Sequence, residues 1–185
     1  MKTVFVGNLE NEWLMHGALH YAYENIPDLD PVKCYTPHDV TKWSETLGVF
    51  IEGLDDDYLL LMLDDYWVQE YDSDVMDIAE MALNLSNIQK IDVSGGMMQF
   101  QHTPADEGFV LIDDTAQYRT SLQAAIWRKD YLVKFCKKGW TPWDFELKGS
   151  KMAKNDGATV LGVVRPAIRY INVLRRGEWY GQPDF

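Results

Sequence analysis

Apolar runs and helical spacings divide this chain into strands and helices before any chemistry is considered. Lys2 to Gly7 is a short β-branched run, and Gly7-Asn8 makes the turn after it. Glu12 to Asn25 carries Trp13, Gly17, Leu19, Ala22 and Tyr23 at helical spacing and stops before Pro27. Val32 to Tyr35 reads as a second short strand. Pro37-His38-Asp39 then opens a helix through about Gly53, with Trp43, Leu47, Phe50 and Ile51 on its apolar face. Tyr58 to Leu63 is almost continuously apolar, as a strand buried on both faces of a parallel sheet must be. A helix from Asp72 to Leu85 follows. The order β-α-β-α-β-α predicts a mostly parallel sheet covered by helices.

The second half reads less regularly. Ile88 to Val93 is a strand stopped by Ser94-Gly95-Gly96, and Met97 to Gln101 and Phe109 to Ile112 read as short antiparallel strands around a Pro104-containing loop. Ser121 to Lys137 is predicted to be a long helix, because Leu122, Ala125, Ile126, Leu132 and Phe135 recur at helical spacing. Thr120 or Ser121 would cap it, and Arg119 and Gln123 would flank an N-terminus suited to an anion. After the polar stretch Gly149 to Gly157 come a strand at Thr159 to Val164, a break at Arg165-Pro166 and an apolar segment from Ile168 to Leu174. The expected fold class is α/β, one compact domain over residues 1–185, with no internal repeat and no interdomain linker.

Charge sharpens this picture. The net charge of −12 divides into −19 over residues 1–114, with 4 Lys/Arg against 23 Asp/Glu, and +7 over residues 115–185, with 13 against 6. An acidic half suited to a cation thus precedes a basic half suited to phosphates, and solvated faces are the plain alternative. Cys34 and Cys136 have no CxxC or Cys/His spacing, which argues against structural zinc and for a reducing cytoplasm. The N-terminal apolar run is too short for a signal peptide, and no segment is long enough for a transmembrane helix.

The candidate chemistry lies at strand ends. Asp64-Asp65 follows the buried strand at its carboxyl end, where open α/β sheets place their ligand crevice. Successive side chains of an extended chain point to opposite sides, so one carboxylate would face a ligand while the other holds the loop. Their oxygens suit Mg²⁺ or Mn²⁺ and, through the metal, nucleotide phosphates. The alternative is that the pair caps the helix at Asp72 to Leu85. Gly7, Asn8 and Leu9 form the first strand-to-helix loop, a usual nucleotide contact. With no GxGxxG and no GxxxxGK[ST], dinucleotide and P-loop chemistry are disfavoured. His16 and His20 stand four apart, as metal ligands on one helix face do, but without a third ligand nearby. Gly95-Gly96 reads either as close backbone approach to a ligand or as a plain turn. In Gly139 to Glu146, Trp140 and Trp143 beside Asp144 and Glu146 suit a sugar platform with a general base. A helix cap at Asp144 with core aromatics fits equally.

Three stretches in order resemble a group of small bacterial and phage glycosyltransferases of the GT-A type. Leu60-Leu61-Met62-Leu63-Asp64-Asp65-Tyr66 is similar to that group's DDY version of the metal-binding DxD motif. Tyr118-Arg119-Thr120-Ser121-Leu122-Gln123-Ala124-Ala125-Ile126-Trp127 is similar to its SLQ…W segment. Pro142-Trp143-Asp144-Phe145-Glu146 is similar to its PWxFE segment, and Ile168-Arg169-Tyr170-Ile171-Asn172 to Gly177-Glu178-Trp179 follows as its tail. Together they cover roughly residues 43–180. The chain departs from longer members at its first strand, which ends in Gly7-Asn8-Leu9-Glu10 where those have a Cys-Asp-containing loop.

The resemblance implies a GT-A fold and transfer of a sugar from a nucleotide-diphosphate donor, a UDP-sugar favoured, with Mn²⁺ or Mg²⁺. It implies residues 1–114 as the nucleotide-sugar and metal half and 115–185 as the acceptor half. By position, Asp65 would be the main metal contact, with Asp64 toward the donor ribose or the metal's water shell. Gly7 and Asn8 would meet the donor, and Arg119 its phosphates. Glu146, or else Asp144, would be the base, and Gln123, Trp127 and Trp143 would border the acceptor, a saccharide or a hydroxymethylated DNA base. The competing expectations are a non-catalytic sugar- or nucleotide-binding module of the same fold and, more remotely, a metal-dependent phosphohydrolase.

Overall fold

The structure is a computed structural model that describes residues 1–85, 87–99, 102–105, 108–175 and 178–180. In chain order the elements are β1 (Lys2–Asn8), α1 (Glu12–Asn25), β2 (Pro31–Thr36), α2 (Trp43–Glu52), β3 (Tyr58–Leu63), β4 (Tyr66–Tyr71), α3 (Ser73–Ala82), β5 (Ile88–Asp92), β6 (His102–Pro104), β7 (Phe109–Ile112), β8 (Ala125–Arg128), α4 (Lys129–Lys134), α5 (Pro142–Met152), β9 (Thr159–Val163), β10 (Ile168–Asn172), β11 (Leu174–Arg175) and β12 (Glu178–Trp179).

Eight strands form one sheet in the order β2-β1-β3-β8-β5-β9-β7-β6. β1 pairs parallel with both β2 and β3, with Val4 opposite Val32 and Leu61. β5 pairs parallel with β9, whereas β8 and β7 run against their neighbours. The apolar runs are continuous because helices cover both faces. Phe5, Leu60 and Met62 pack on Met15 and Ala18 of α1 and Met76 of α3. Val4, Val6, Leu59 and Leu61 pack in a second cluster with Leu47 and Ile51 of α2 and Phe145 of α5. At ~1.5–3 kcal/mol per buried large apolar side chain, these two clusters are the main drive for folding.

Three expectations change, and one strand is added. Ser121 to Lys137 is not one helix: Ala125–Arg128 is strand β8, antiparallel between β3 and β5, with Ile126 opposite both Leu60 and Ile91. Ala124 through Trp127 are all wholly buried, and a run buried on both faces shows no period that separates strand from helix. Only Lys129–Lys134 is helical, so Arg119 and Gln123 flank no helix N-terminus. Tyr66–Tyr71, between the acidic pair and α3, is strand β4, paired antiparallel with β10 in a small second sheet. Gly17 of α1 is glycine for a steric reason: a Cβ there would lie 2.5 Å from Cε2 of the β4 residue Trp67. Lastly, Met97 to Gln99 of the expected strand Met97 to Gln101 belong to a 3₁₀ turn, Gly96–Gln99, and residues 100 and 101 lie outside the described residues.

Candidate active site

The carboxyl ends of β1, β2 and β3 open into a cleft of about 530 Å³, walled on the far side by α5 and the segment before β8. Gly7 and Asn8 end β1, Thr36 ends β2, and Asp64, Asp65 and Tyr66 follow β3. Leu122, Gln123, Trp143, Glu146 and Asn172 complete the walls.

Asp64 and Asp65 form the turn between β3 and β4, anchored by Asp64 N–H donating to the Val6 carbonyl at 2.9 Å and Val173 N–H donating to the Asp65 carbonyl at 2.9 Å. Because the pair sits in a turn and not in extended chain, both residues line the cleft. The capping alternative fails. Asp72 caps α3, accepting from Val75 N–H at 3.2 Å, and β4 separates it from the pair. Asp64 lies against Gly7, where a Cβ would sit 2.5 Å from its Cγ, and accepts from Asn8 N–H at 3.4 Å. Gly7 is therefore required by the close approach of a carboxylate.

Burial, and then the neighbouring Asp65 charge, push the Asp64 carboxyl up to about 7; burial pushes Asp65 up to about 6. Asp65 Oδ1 is buried with no hydrogen-bond partner. Two adjacent, poorly solvated carboxylates with an orphaned oxygen fit a hard divalent cation, which would supply the missing partner. Among the described residues no group of three His, Cys, Asp or Glu is placed to enclose a metal. The pair thus matches the Mg²⁺ style of one or two carboxylates completed by water and phosphate.

Glu146 enters from the second turn of α5. Its Oε1 accepts from Leu122 N–H at 2.7 Å and Ser121 Oγ at 3.5 Å. Pro142 begins the helix and Thr141 caps it, and one turn earlier on the same face Trp143 lines the cleft while remaining 66% exposed. Asp144 does not line it. Its side chain completes the capping box with Thr141 and pairs with Lys148 at 2.9 Å, which depresses its pKa and makes it a poor base. Gln123 lines the cleft and accepts a hydrogen bond from the Tyr170 hydroxyl; the Tyr170 ring stacks on Tyr66 at 4.2 Å.

Two predicted site residues lie elsewhere. Arg119 is 0% exposed, and its guanidinium donates to the carbonyls of Ile112 (2.6 Å) and Ala158 and pairs with Asp114 at 2.8 Å, so it does not reach the cleft. Trp127 is 0% exposed, packed among Phe145 and Tyr131 beneath the cleft, and does not line it. His16 and His20 are exposed, each beside its own glutamate, Glu12 at 3.7 Å and Glu24 at 3.6 Å. Leu9 is exposed and Gly95 makes a positive-φ turn against Pro166; neither lines the cleft. The polar lining residues that sequence reasoning missed are Asn11, Thr36 and Asn172, brought in by the 3₁₀ turn before α1, the end of β2 and β10. Asn172 sat in the tail motif; the other two carried no local signal.

No protein-family model matches the chain, and no curated protein matches it in sequence. Solved structures do share its fold. The TarS 1–349 structure from S. aureus, in complex with UDP-GlcNAc, superposes with a TM-score of 0.60 at 12% identity, over 97% of this chain and 60% of that one. This chain thus spans less than two thirds of the TarS fragment. A197 from STIV gives 0.57 at 11% identity, over 95% and 87% of the two chains. CMP:2-keto-3-deoxy-manno-octonic acid synthetase, complexed with CTP, gives 0.51 at 9% identity, over 93% of each. The chain shares the fold of these structures, a GT-A-like mixed and mostly parallel sheet flanked by helices.

Proposed function

We propose that this protein is a metal-dependent, inverting glycosyltransferase that moves a sugar from a nucleotide-diphosphate donor, a UDP-sugar favoured, to a hydroxyl acceptor. The observation that carries the reading is that Asp64, Asp65 and Glu146 share one cleft at the carboxyl edge of a GT-A sheet. TarS holding UDP-GlcNAc and the synthetase holding CTP support a nucleotide there.

In this reading Gly7 and Asn8 approach the donor nucleotide. Mn²⁺ or Mg²⁺ held by Asp65 and Asp64 would neutralise the charge that builds on the departing diphosphate. Glu146 takes the proton of the acceptor hydroxyl as its oxygen attacks the anomeric carbon opposite the leaving group, and the anomeric configuration inverts. The Leu122 amide keeps Glu146 aimed. Trp143 offers an exposed indole face for a saccharide or a hydroxymethylated base, and Gln123 a polar contact. Among the described residues no helix is long and apolar enough to cross a membrane.

The test is calorimetric titration of UDP with and without Mn²⁺, on the native chain and on Asp65→Ala. Binding that needs the metal and weakens at least tenfold in the variant is expected. Binding indifferent to both removes the acidic pair from the site, and a product of retained configuration removes Glu146 as the base.

A further inference from the structure

The core beneath the cleft holds a cation that the chemistry above does not use. Lys90 of β5 is 0% exposed, its ammonium 4.6 Å above the Trp127 ring. It donates to the carbonyl of Ser121 at 2.7 Å and to that of Arg119 at 3.3 Å. The Ser121 carbonyl and the Leu122 N–H are the two ends of one peptide group, and that N–H donates to Glu146 at 2.7 Å. A single planar amide is therefore held between an ammonium at its oxygen and a carboxylate at its hydrogen.

We propose that Lys90 is a positioning residue for Glu146, acting through the Ser121–Leu122 peptide group; the inference rests on the glycosyltransferase reading above. A peptide unit is rigid and its two polar ends point apart, so fixing the oxygen fixes the direction of the N–H. A cation on the oxygen also polarises the amide and strengthens the N–H as a donor, as happens along hydrogen-bond chains in low dielectric. The rest of the segment is bonded to the same helix: Thr120 Oγ1 lies 3.0 Å from the carbonyls of both Phe145 and Glu146. Lys90 thus orients one oxygen of the base and leaves the carboxylate facing the cleft. The charged groups around the ammonium are Asp92 on its own strand, Arg119 on the segment and Glu146 on α5. Burial lowers Lys90 to about 8, with Asp92 and Glu146 raising it, so it is cationic at neutral pH. Removing one partner from a set of buried polar groups is destabilising, so Lys90→Met is expected to lose stability, and Lys90→Gln, which keeps a donor for the Ser121 carbonyl, keeps the comparison readable.

The experiment compares the native chain with Lys90→Met and Lys90→Gln by two readouts. The first is the Leu122 amide proton resonance, which is expected to move upfield in Lys90→Met as its bond to Glu146 loosens. The second is UDP release from UDP-GlcNAc and UDP-glucose in Mn²⁺, expressed per UDP-binding site. Here kcat is expected to fall about 10–100-fold, the cost of a small misplacement of a reacting group, with UDP affinity unchanged. Lys90→Gln, which can still donate to the Ser121 carbonyl, is expected to lose less. An unmoved Leu122 resonance with native kcat overturns the proposal. So does a loss of kcat matched by an equal loss of UDP affinity, or failure of both variants to fold, since each makes Lys90 a core support. Glu146→Gln runs alongside: native turnover in that variant removes the base assignment itself, with Lys90 intact. A native chain that turns over no nucleotide sugar sinks the proposed function, and this inference with it.

Discussion

The acidic turn after β3 should make the metal-free protein less stable as pH rises, because its carboxyls ionise in a place that solvates charge poorly. Asp64 has an ordinary value of 3.8 and a folded value of about 7, raised first by burial and then by the Asp65 charge. A carboxyl raised on folding contributes no penalty below about pH 4, where it is protonated in both states, and its full penalty above about pH 7, where it is ionised in both. At 1.36 kcal/mol per pH unit the full penalty is about 4 kcal/mol, of which about 1.5 is already present at pH 5. Asp64 alone therefore removes about 2–3 kcal/mol of stability between pH 5 and pH 8. For a chain of this length that is a fall in Tm of about 5–10 °C. Asp64→Asn removes this charge, and with it the Asp64–Asp65 repulsion, because asparagine keeps the shape of the side chain. In urea unfolding of the metal-free proteins, the native chain should lose about 2–3 kcal/mol more than Asp64→Asn over this interval, and the variant should be the more stable at pH 8. Mn²⁺ at a hundred times its Kd should return about 2.7 kcal/mol to the native chain, and much less to the variant. Parallel pH profiles for the two proteins would refute the reasoning and mean that the turn is solvated well enough to carry its charge.

Three further outcomes follow from the same geometry. Gly7→Ala should weaken Mn²⁺-dependent UDP binding at least tenfold with β1 still paired, since the added Cβ displaces the Asp64 carboxylate; calorimetry checks the first and circular dichroism the second. Arg119→Met should cost about 3–5 kcal/mol of stability in urea unfolding, because it strips donors from buried partners. Its surviving folded fraction should bind UDP with native affinity. Asp144→Asn should lower the melting temperature slightly, as loss of part of a helix cap does, and leave UDP release unchanged, whereas Glu146→Gln should cut UDP release by about 10²–10⁴-fold at unchanged UDP affinity.

The first half of the fold was legible locally because its signals are local. Val4 to Val6 and Leu59 to Met62 are apolar at every position, as strands covered on both faces must be, and α2 shows one apolar face, whereas α1 buries Leu14, Met15, Ala18, Leu19 and Ala22 and leaves Trp13 and Tyr23 of its expected face exposed. The place of Asp64-Asp65 in the cleft could be read for the same reason: a carboxylate pair at the end of a buried parallel strand falls at the open edge wherever the sheet is built. Glu146 and Trp143 were legible through motif order, and the structure brings them to that cleft. Asp144, equally prominent in the sequence, went to a capping box instead, a choice made by the helix start at Pro142.

Tertiary structure decided the rest. Ala125 to Arg128 became a strand because β3 and β5 leave a gap that only an extended segment fills, and no pattern internal to those residues, buried through Trp127, distinguishes that from a helix. That insertion carried Trp127 into the core, and the packing of β7 and β9 against the preceding segment drew Arg119 onto the carbonyls of Ile112 and Ala158. Both residue types read as ligand contacts in one dimension, and both are spent on buried backbone and packing in three. The same insertion set the Ser121–Leu122 peptide between Lys90 and Glu146, two residues 56 positions apart that no spacing rule connects. Period and strand-end chemistry are written within a few residues of one another; which buried charge meets which loop is set only when distant strands pair.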